Sequence, residues 1–190
     1  MRMWLLTACI LSLSFQPAMA ADYPRVRIET TAGDFTVELN DERAPLTVAN
    51  FLQYVKDGYY EATIFHRIVN GFVVQGGGYT VDLQPKKARP PIPNESGNGL
   101  SNRRMTIAMA RTSEPHSADS QFYINLADNL DLDPKPTRWG YAVFGEVIDG
   151  SEVIDDIGYR PTSPQGPFEA MPAAPVIIEK IVLLPAPGEK

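Results

Sequence analysis

The sequence predicts a mainly β domain, a sandwich or a closed barrel of short strands accompanied by two helices. Three observations carry this. Short runs rich in β-branched and aromatic residues recur along the chain with turn residues between them. Apolar side chains at helical spacing occur in only two stretches. A chain of 190 residues that is 44% hydrophobic suits one domain with one core. Repeats and low-complexity segments are absent.

Residues 1–20 are set aside as an export signal. Arg2 gives a positive start, Trp4 to Phe15 is mostly apolar, and Ala18-Met19-Ala20 is a small-x-small cleavage site. The apolar run is about a dozen residues, short of the ~20 that span a bilayer. Cleavage after Ala20 leaves a single domain, 21–190. A competing lipoprotein box, Leu6-Thr7-Ala8-Cys9, would leave too few apolar residues before Cys9. Loss of the signal also removes Cys9, the one cysteine, so no disulfide or cysteine-held metal is expected. Losing Arg2 leaves 16 basic against 23 acidic side chains, a net charge of −7. An acidic chain without a basic tract argues against nucleic acid or anionic membrane as partner.

The elements then follow in order. Val26 to Glu29 and Phe35 to Leu39 are strands joined at Thr30-Thr31-Ala32-Gly33-Asp34, a hairpin signal. Pro45 opens a helix whose apolar stripe is Leu46, Ala49, Phe51, Leu52 and Val55, with Gly58 ending it. Strands are expected at Ile64 to Val69, Phe72 to Gln75, Thr106 to Ala110, Phe122 to Leu126, Ala142 to Val147 and Val176 to Leu184. Ser151 is read as the N-cap of a second helix through Ile157, closed by Gly158. Two stretches, 79–99 and 131–138, are polar and proline-rich and read as surface loops. Patterning alone leaves sandwich and barrel open.

The chemistry concentrates in Phe65-His66-Arg67 and Gly71-Phe72-Val73-Val74-Gln75-Gly76-Gly77. This segment holds one cation, one imidazole and one amide among apolar side chains. It has no nucleophile, no carboxylate pair and no metal-ligand set, which suits a reaction in which a bond rotates and none breaks. Thr106 to Arg111, Ser120 to Ile124 and Tyr141 to Gly145 follow. In this order and at this spacing the motifs closely resemble the cyclophilins, the cyclosporin-binding family of peptidyl-prolyl cis–trans isomerases. With the export signal and the excursion from Pro90 to Asn102, the chain most resembles the periplasmic members from Gram-negative bacteria.

The resemblance implies an eight-stranded antiparallel barrel capped by two helices, and a cofactor-free isomerase without metal. Arg67 is then the donor to the prolyl nitrogen, Phe72, Val73, Tyr123 and Leu132 the pocket for the proline ring, and Gln75 and Gln121 the groups orienting substrate and Arg67. Ala110 and Arg111 match the position where the backbone meets the peptide, and Tyr141 stands where many eukaryotic members carry histidine. His66, counted with the catalytic group, follows Phe65 in a strand and should face away from Arg67 unless a bulge intervenes, so it is read as a shaping residue. Val73 replaces a frequent methionine. Asp131 falls where cyclosporin-sensitive members have tryptophan, so weak cyclosporin binding is expected, and Trp139 is assigned to the next strand. Gly76-Gly77-Gly78 lacks the lysine of a phosphate loop and is read as allowing a sharp turn or close approach to a peptide. The expected partners are unfolded or partly folded polypeptides containing proline, bound by an exported, periplasmic monomer. Two other readings are a proline-peptide binding module with little turnover and a hollow barrel carrying a lipophilic ligand.

Overall fold

The computed structural model describes residues 23–186; the expected export signal and Cys9 lie outside them. In chain order the strands are β1 (Arg25–Thr30), β2 (Gly33–Leu39), β3 (Thr63–Val69), β4 (Val73–Thr80), β5 (Thr106–Met109), β6 (Phe122–Asn125), β7 (Val143–Asp149), β8 (Thr162–Gln165), β9 (Phe168–Pro172) and β10 (Ile177–Leu183). Helices α1 (Pro45–Lys56) and α2 (Ser151–Gly158) follow β2 and β7. Eight strands close an antiparallel barrel in the order β1-β10-β3-β4-β6-β5-β7-β2. The closed alternative is therefore the one adopted.

Alternation of side chains sets the interior. Val26 and Ile28 of β1, Phe35 and Val37 of β2, Phe122 and Ile124 of β6, and Phe144 of β7 all face one buried cluster. Ile28 lies opposite both Phe35 and Ile181, so three neighbouring strands bury apolar residues at one level. Phe51 of α1 enters the same cluster, with ring centroids 5.3 Å from Tyr60 and Phe144 and an edge-on contact to Phe122 at 5.7 Å. Ile154 and Ile157 of α2 complete it. Side chains occupy the interior, which removes the lipophilic-carrier reading.

Local details depart from the expected ones in instructive ways. Helix α1 buries Thr47, Val48, Phe51 and Tyr54, whereas Leu46 is half exposed. The stripe was displaced because Tyr54 counts as apolar when its hydroxyl has a partner, here the Arg89 N–H. The N-terminus of α1 is capped from afar: Glu95 accepts the N–H of Leu46 at 3.1 Å and of Thr47 at 2.8 Å. A carboxylate there meets both the free N–H groups and the positive end of the helix dipole. The 79–99 excursion is thus fastened to the domain, and Ser96 within it is buried. Ser151 is not the N-cap of α2. That place belongs to Gly150 at φ +75, where a Cβ would stand 2.6 Å from the Asp34 carbonyl oxygen. Trp139 precedes β7 rather than joining it, and meets the His116 ring edge-on at 5.1 Å.

Strands β8 and β9 form a separate hairpin that no sequence signal indicated. Thr162-Ser163-Pro164-Gln165 is mostly exposed and has no apolar alternation to betray it. Phe168 fastens this hairpin to the barrel, lying 5.0 Å from the His66 ring and 4.7 Å from the Tyr79 ring.

Candidate active site

A bulge in β3 creates the site. Phe65 pairs with Gly76 and Arg67 with Gln75, so two steps along β3 match one along β4 and His66 is the extra residue. In an unbroken strand Phe65 and Arg67 would share a face. The bulge instead leaves Phe65 and Ile68 in the interior cluster and turns Arg67 to the outer wall. A guanidinium is thereby kept out of the core without breaking the barrel.

The outward alternates of four neighbouring strands meet Arg67 there. Val73 from β4, Tyr123 from β6, Ala108 from β5 and Val143 from β7 form a second, smaller apolar cluster on the barrel's exterior, with Phe72, Ala110, Leu132 and Tyr141 packed against it. A cleft of about 230 Å³ is lined by Arg67, Phe72, Val73, Gln75, Ala110, Arg111, Tyr123, Leu132 and Tyr141. Nine of the eleven residues singled out in the sequence therefore share one cavity. Leu132 arrives from a single 3-10 turn, Leu130–Leu132, and its carbonyl accepts the Tyr141 N–H at 3.0 Å.

Polar groups are ordered along one side. Gln121 accepts from the Gln75 amide at 3.2 Å, and Gln75 Oε1 accepts from Arg67 at 3.3 Å. Arg67 makes no ion pair among the described residues, and its guanidinium carbon lies 5.9 Å from the Phe72 ring centroid. Arg111 differs. It lies 4.5 Å over the Tyr141 ring and donates to the carbonyls of Thr112, Trp139 and Gly140. Its donors are spent on backbone, which makes it a wall of the cleft.

Gln121 lies just outside this cavity, in an adjoining cleft of about 190 Å³ that shares Gln75, Ala110 and Arg111. Thr112, Ser117 and Asp119 also line that cleft, and no motif had drawn attention to them. The glycine run serves Gln121: a Cβ on Gly78 would stand 2.5 Å from the Gln121 Cγ. The close approach at Gly78 is thus to a neighbouring side chain, and the run also bends β4: Gly77 takes φ +82 and the pairing with β3 slips between Gly76 and Thr80.

His66 is not in the cavity. Its ring is buried against Tyr79 at 4.8 Å and against Phe168, and its Nδ1 has no hydrogen-bond partner among the described residues. Burial, with a smaller contribution from neighbouring Arg67, lowers its pKa from 6.5 to about 4. Its place among the catalytic residues is corrected to a packing position beneath the β8–β9 hairpin. Asp131 also lies outside the cleft, its side chain in solvent and paired with Lys135 at 2.8 Å.

Larger clefts exist elsewhere, of about 360 Å³ beside Glu38 and Glu146 and about 450 Å³ along 134–139. The first sets Arg103 and Asn40 beside two carboxylates, Glu38 and Glu146, and the second has no side-chain amide, whereas the 230 Å³ cleft joins an apolar floor to a cation and an amide with no carboxylate in its lining. No group of metal ligands occurs among the described residues, and no described helix is long and apolar enough to cross a membrane. Burial raises the Tyr123 pKa well above its ordinary value, so the phenol stays protonated. The cleft thus offers a grip for an apolar ring and a fixed donor beside it.

Residues 25–183 match the family described as cyclophilin type peptidyl-prolyl cis-trans isomerase/CLD. The chain is 48% identical over 177 residues to peptidyl-prolyl cis-trans isomerase A of Dickeya dadantii, covering 92% of this chain and 93% of that one. It is 45% identical over 161 residues to peptidyl-prolyl cis-trans isomerase B of Escherichia coli, covering 83% and 98%. A crystal structure of a Cryptosporidium parvum cyclophilin type isomerase with the dipeptide Ala-Pro superposes with a TM-score of 0.71 at 30% identity, covering 85% of this chain and 99% of that one. Together with the closed barrel and the cleft on its outer wall, these matches show that the chain belongs to the cyclophilin family of peptidyl-prolyl cis–trans isomerases.

Proposed function

We propose that this isomerase accelerates rotation about X–Pro bonds in unfolded or partly folded exported polypeptides, with Arg67 as the catalytic donor. Rotation is opposed by the double-bond character of the amide, a barrier of ~18–20 kcal/mol. Uncatalysed X–Pro exchange takes ~10–100 s or longer, slow enough to limit folding. Bringing ~100 s to ~10 ms requires about 5.5 kcal/mol of transition-state stabilisation. At the half-rotated state conjugation is lost and the prolyl nitrogen regains a lone pair. A donor aimed at that nitrogen stabilises the twisted state more than either planar one.

The observation that carries this is the Arg67 fork, without an acidic partner among the described residues, at the rim of an apolar cleft. Phe72, Val73, Tyr123 and Leu132 hold the proline ring by burial, at ~25 cal/mol per Å² of apolar surface. Gln75 fixes the guanidinium, and Gln121 fixes Gln75. The substrate chain continues into the adjoining cleft past Ala110 and Arg111. Export to the periplasm rests on the N-terminal pattern ending at Ala20.

The test is isomerisation of an Ala-Pro reporter peptide at low temperature, using protein recovered from the periplasmic fraction and beginning at Ala21. Turnover that falls at least ~10-fold in Arg67→Ala, about 1.4 kcal/mol, supports the reading. Both proteins should give the same circular dichroism. Wild type that binds the peptide but leaves the uncatalysed rate unchanged is instead a proline-peptide binding module. Cyclosporin should bind weakly, because Asp131 points into solvent where the sensitive members of the family place an aromatic ring. A sub-micromolar inhibition constant would contradict that.

A further inference from the structure

A chain of buried and half-buried polar groups lies directly behind the proline cleft, and the catalytic reading leaves it unused. Tyr123, 4% exposed, donates from its hydroxyl to Asn102 Oδ1 at 2.7 Å. Asn102 is fully buried and does not line the cleft. Its backbone N–H and its Nδ2 both donate to Asp133 Oδ1, at 2.7 and 2.8 Å. Ser101 donates to the other carboxylate oxygen. The Asn102 carbonyl accepts the Asn129 N–H at 2.7 Å, and Asn129 Nδ2 donates to the Phe72 carbonyl at 2.8 Å.

These bonds have a direction. An ionised carboxylate only accepts, so the Asn102 amide must turn its NH₂ group toward Asp133. Its oxygen then faces Tyr123, and the tyrosine hydroxyl can only donate to it. The phenol proton is thereby committed away from the cleft, and the ring presents carbon alone to whatever enters. Burial opposes ionisation of Asp133, but hydrogen bonds from Ser101 and Asn102 and the charge of Arg103 outweigh it and hold the carboxyl below its ordinary range. The carboxylate that sets the direction is therefore present at neutral pH.

We propose that Asn102, oriented by Asp133, is a positioning residue that locks the Tyr123 ring as the floor of the proline pocket, so that affinity for the prolyl substrate depends on residues that never touch it. The proposal rests on the isomerase reading for its substrate, but peptide affinity tests it without turnover. Such supporting shells hold a site's side chains to a productive geometry in other contexts too.

The experiment is titration of an Ala-Pro peptide into the purified protein, with kcat and KM measured alongside. Tyr123→Phe keeps the ring and removes the link, and Asp133→Ala removes the anchor. Each should weaken peptide affinity and raise KM by about threefold to tenfold, the net worth of one hydrogen bond, with kcat within about twofold. Combined, they should lose little more than either alone, because both break one chain. Asp133→Asn retains an acceptor oxygen and should restore most of the affinity. Additive losses, or an unchanged affinity in Tyr123→Phe, overturn the proposal; the second holds even if Asp133→Ala fails to fold. Wild type that binds without turning over fails the isomerase reading alone, and the affinity cycle still decides the brace.

Discussion

Two guanidiniums line the cleft of about 230 Å³, and their partners separate their roles. Arg111 spends its donors on four backbone carbonyls and rests on Tyr141, whereas Arg67 bonds only the Gln75 side chain among the described residues. A fork held by one amide and otherwise free can bond both a prolyl nitrogen and the carbonyl before it. His66, next in sequence, does something different. Buried and neutral, it resists protonation down to about pH 4, while the unfolded chain takes up the proton near 6.5. Its folded pKa is depressed, so its contribution to stability is whole above pH 6.5 and is lost as pH falls to about 4. Over that window the loss is at most about 3 kcal/mol. Urea unfolding of wild type and His66→Phe, from pH 7 to 4, reads this directly. The variant keeps an aromatic ring against Tyr79 and Phe168 and should lose less stability on acidification; parallel curves would sink the assignment.

Among the elements, β3 and α1 show how local rules yield to neighbours. Strand β3 gives up one residue of register at His66, and that slip alone moves Arg67 to the outside. Helix α1 opens on Pro45 but has no cap of its own: Ala44 stands at the N-cap without a side-chain bond. Its cap is Glu95, 48 residues beyond Thr47, which also accepts the Thr47 hydroxyl at 2.7 Å. Glu95→Ala should therefore cost about 1–2 kcal/mol of stability by freeing N–H groups at the positive end of the helix. Thermal unfolding should show the loss, while kcat/KM stays within about twofold because α1 does not line the cleft. An unchanged melting temperature would mean that water replaces the carboxylate without penalty. The same contact ties the far end of the 79–99 excursion, whose sequence reads as a loop, to α1.

At the scale of the whole molecule, one alternation builds two clusters. Inward residues fill the barrel, and outward residues of β4, β6, β5 and β7 build the apolar cluster beneath the candidate site on its wall. Most strands were legible because their apolar residues alternate with a period of two. The β8–β9 hairpin was not, since a satellite pair with little burial has no reason to alternate. Site residues were legible to the extent that they stand in contiguous motifs. Arg67, Phe72, Val73 and Gln75 fall within nine positions, and Tyr123 and Gln121 in one short run. Asn102, Asn129 and Asp133 escaped notice, being isolated polar residues in loops whose meeting depends on closure of the barrel. The sequence by itself determined the eight barrel strands, the helix opened by Pro45 and the residue types of the cleft, because periodicity and turn chemistry act between near neighbours. Only the tertiary structure decided barrel over sandwich, the outward turn of Arg67, the removal of His66 from the site and the brace behind Tyr123. Barrel closure and the brace depend on pairing or hydrogen bonding between segments far apart in the chain, and the turn of Arg67 on a slip in register between adjacent strands; no local pattern encodes which partner closes the bond.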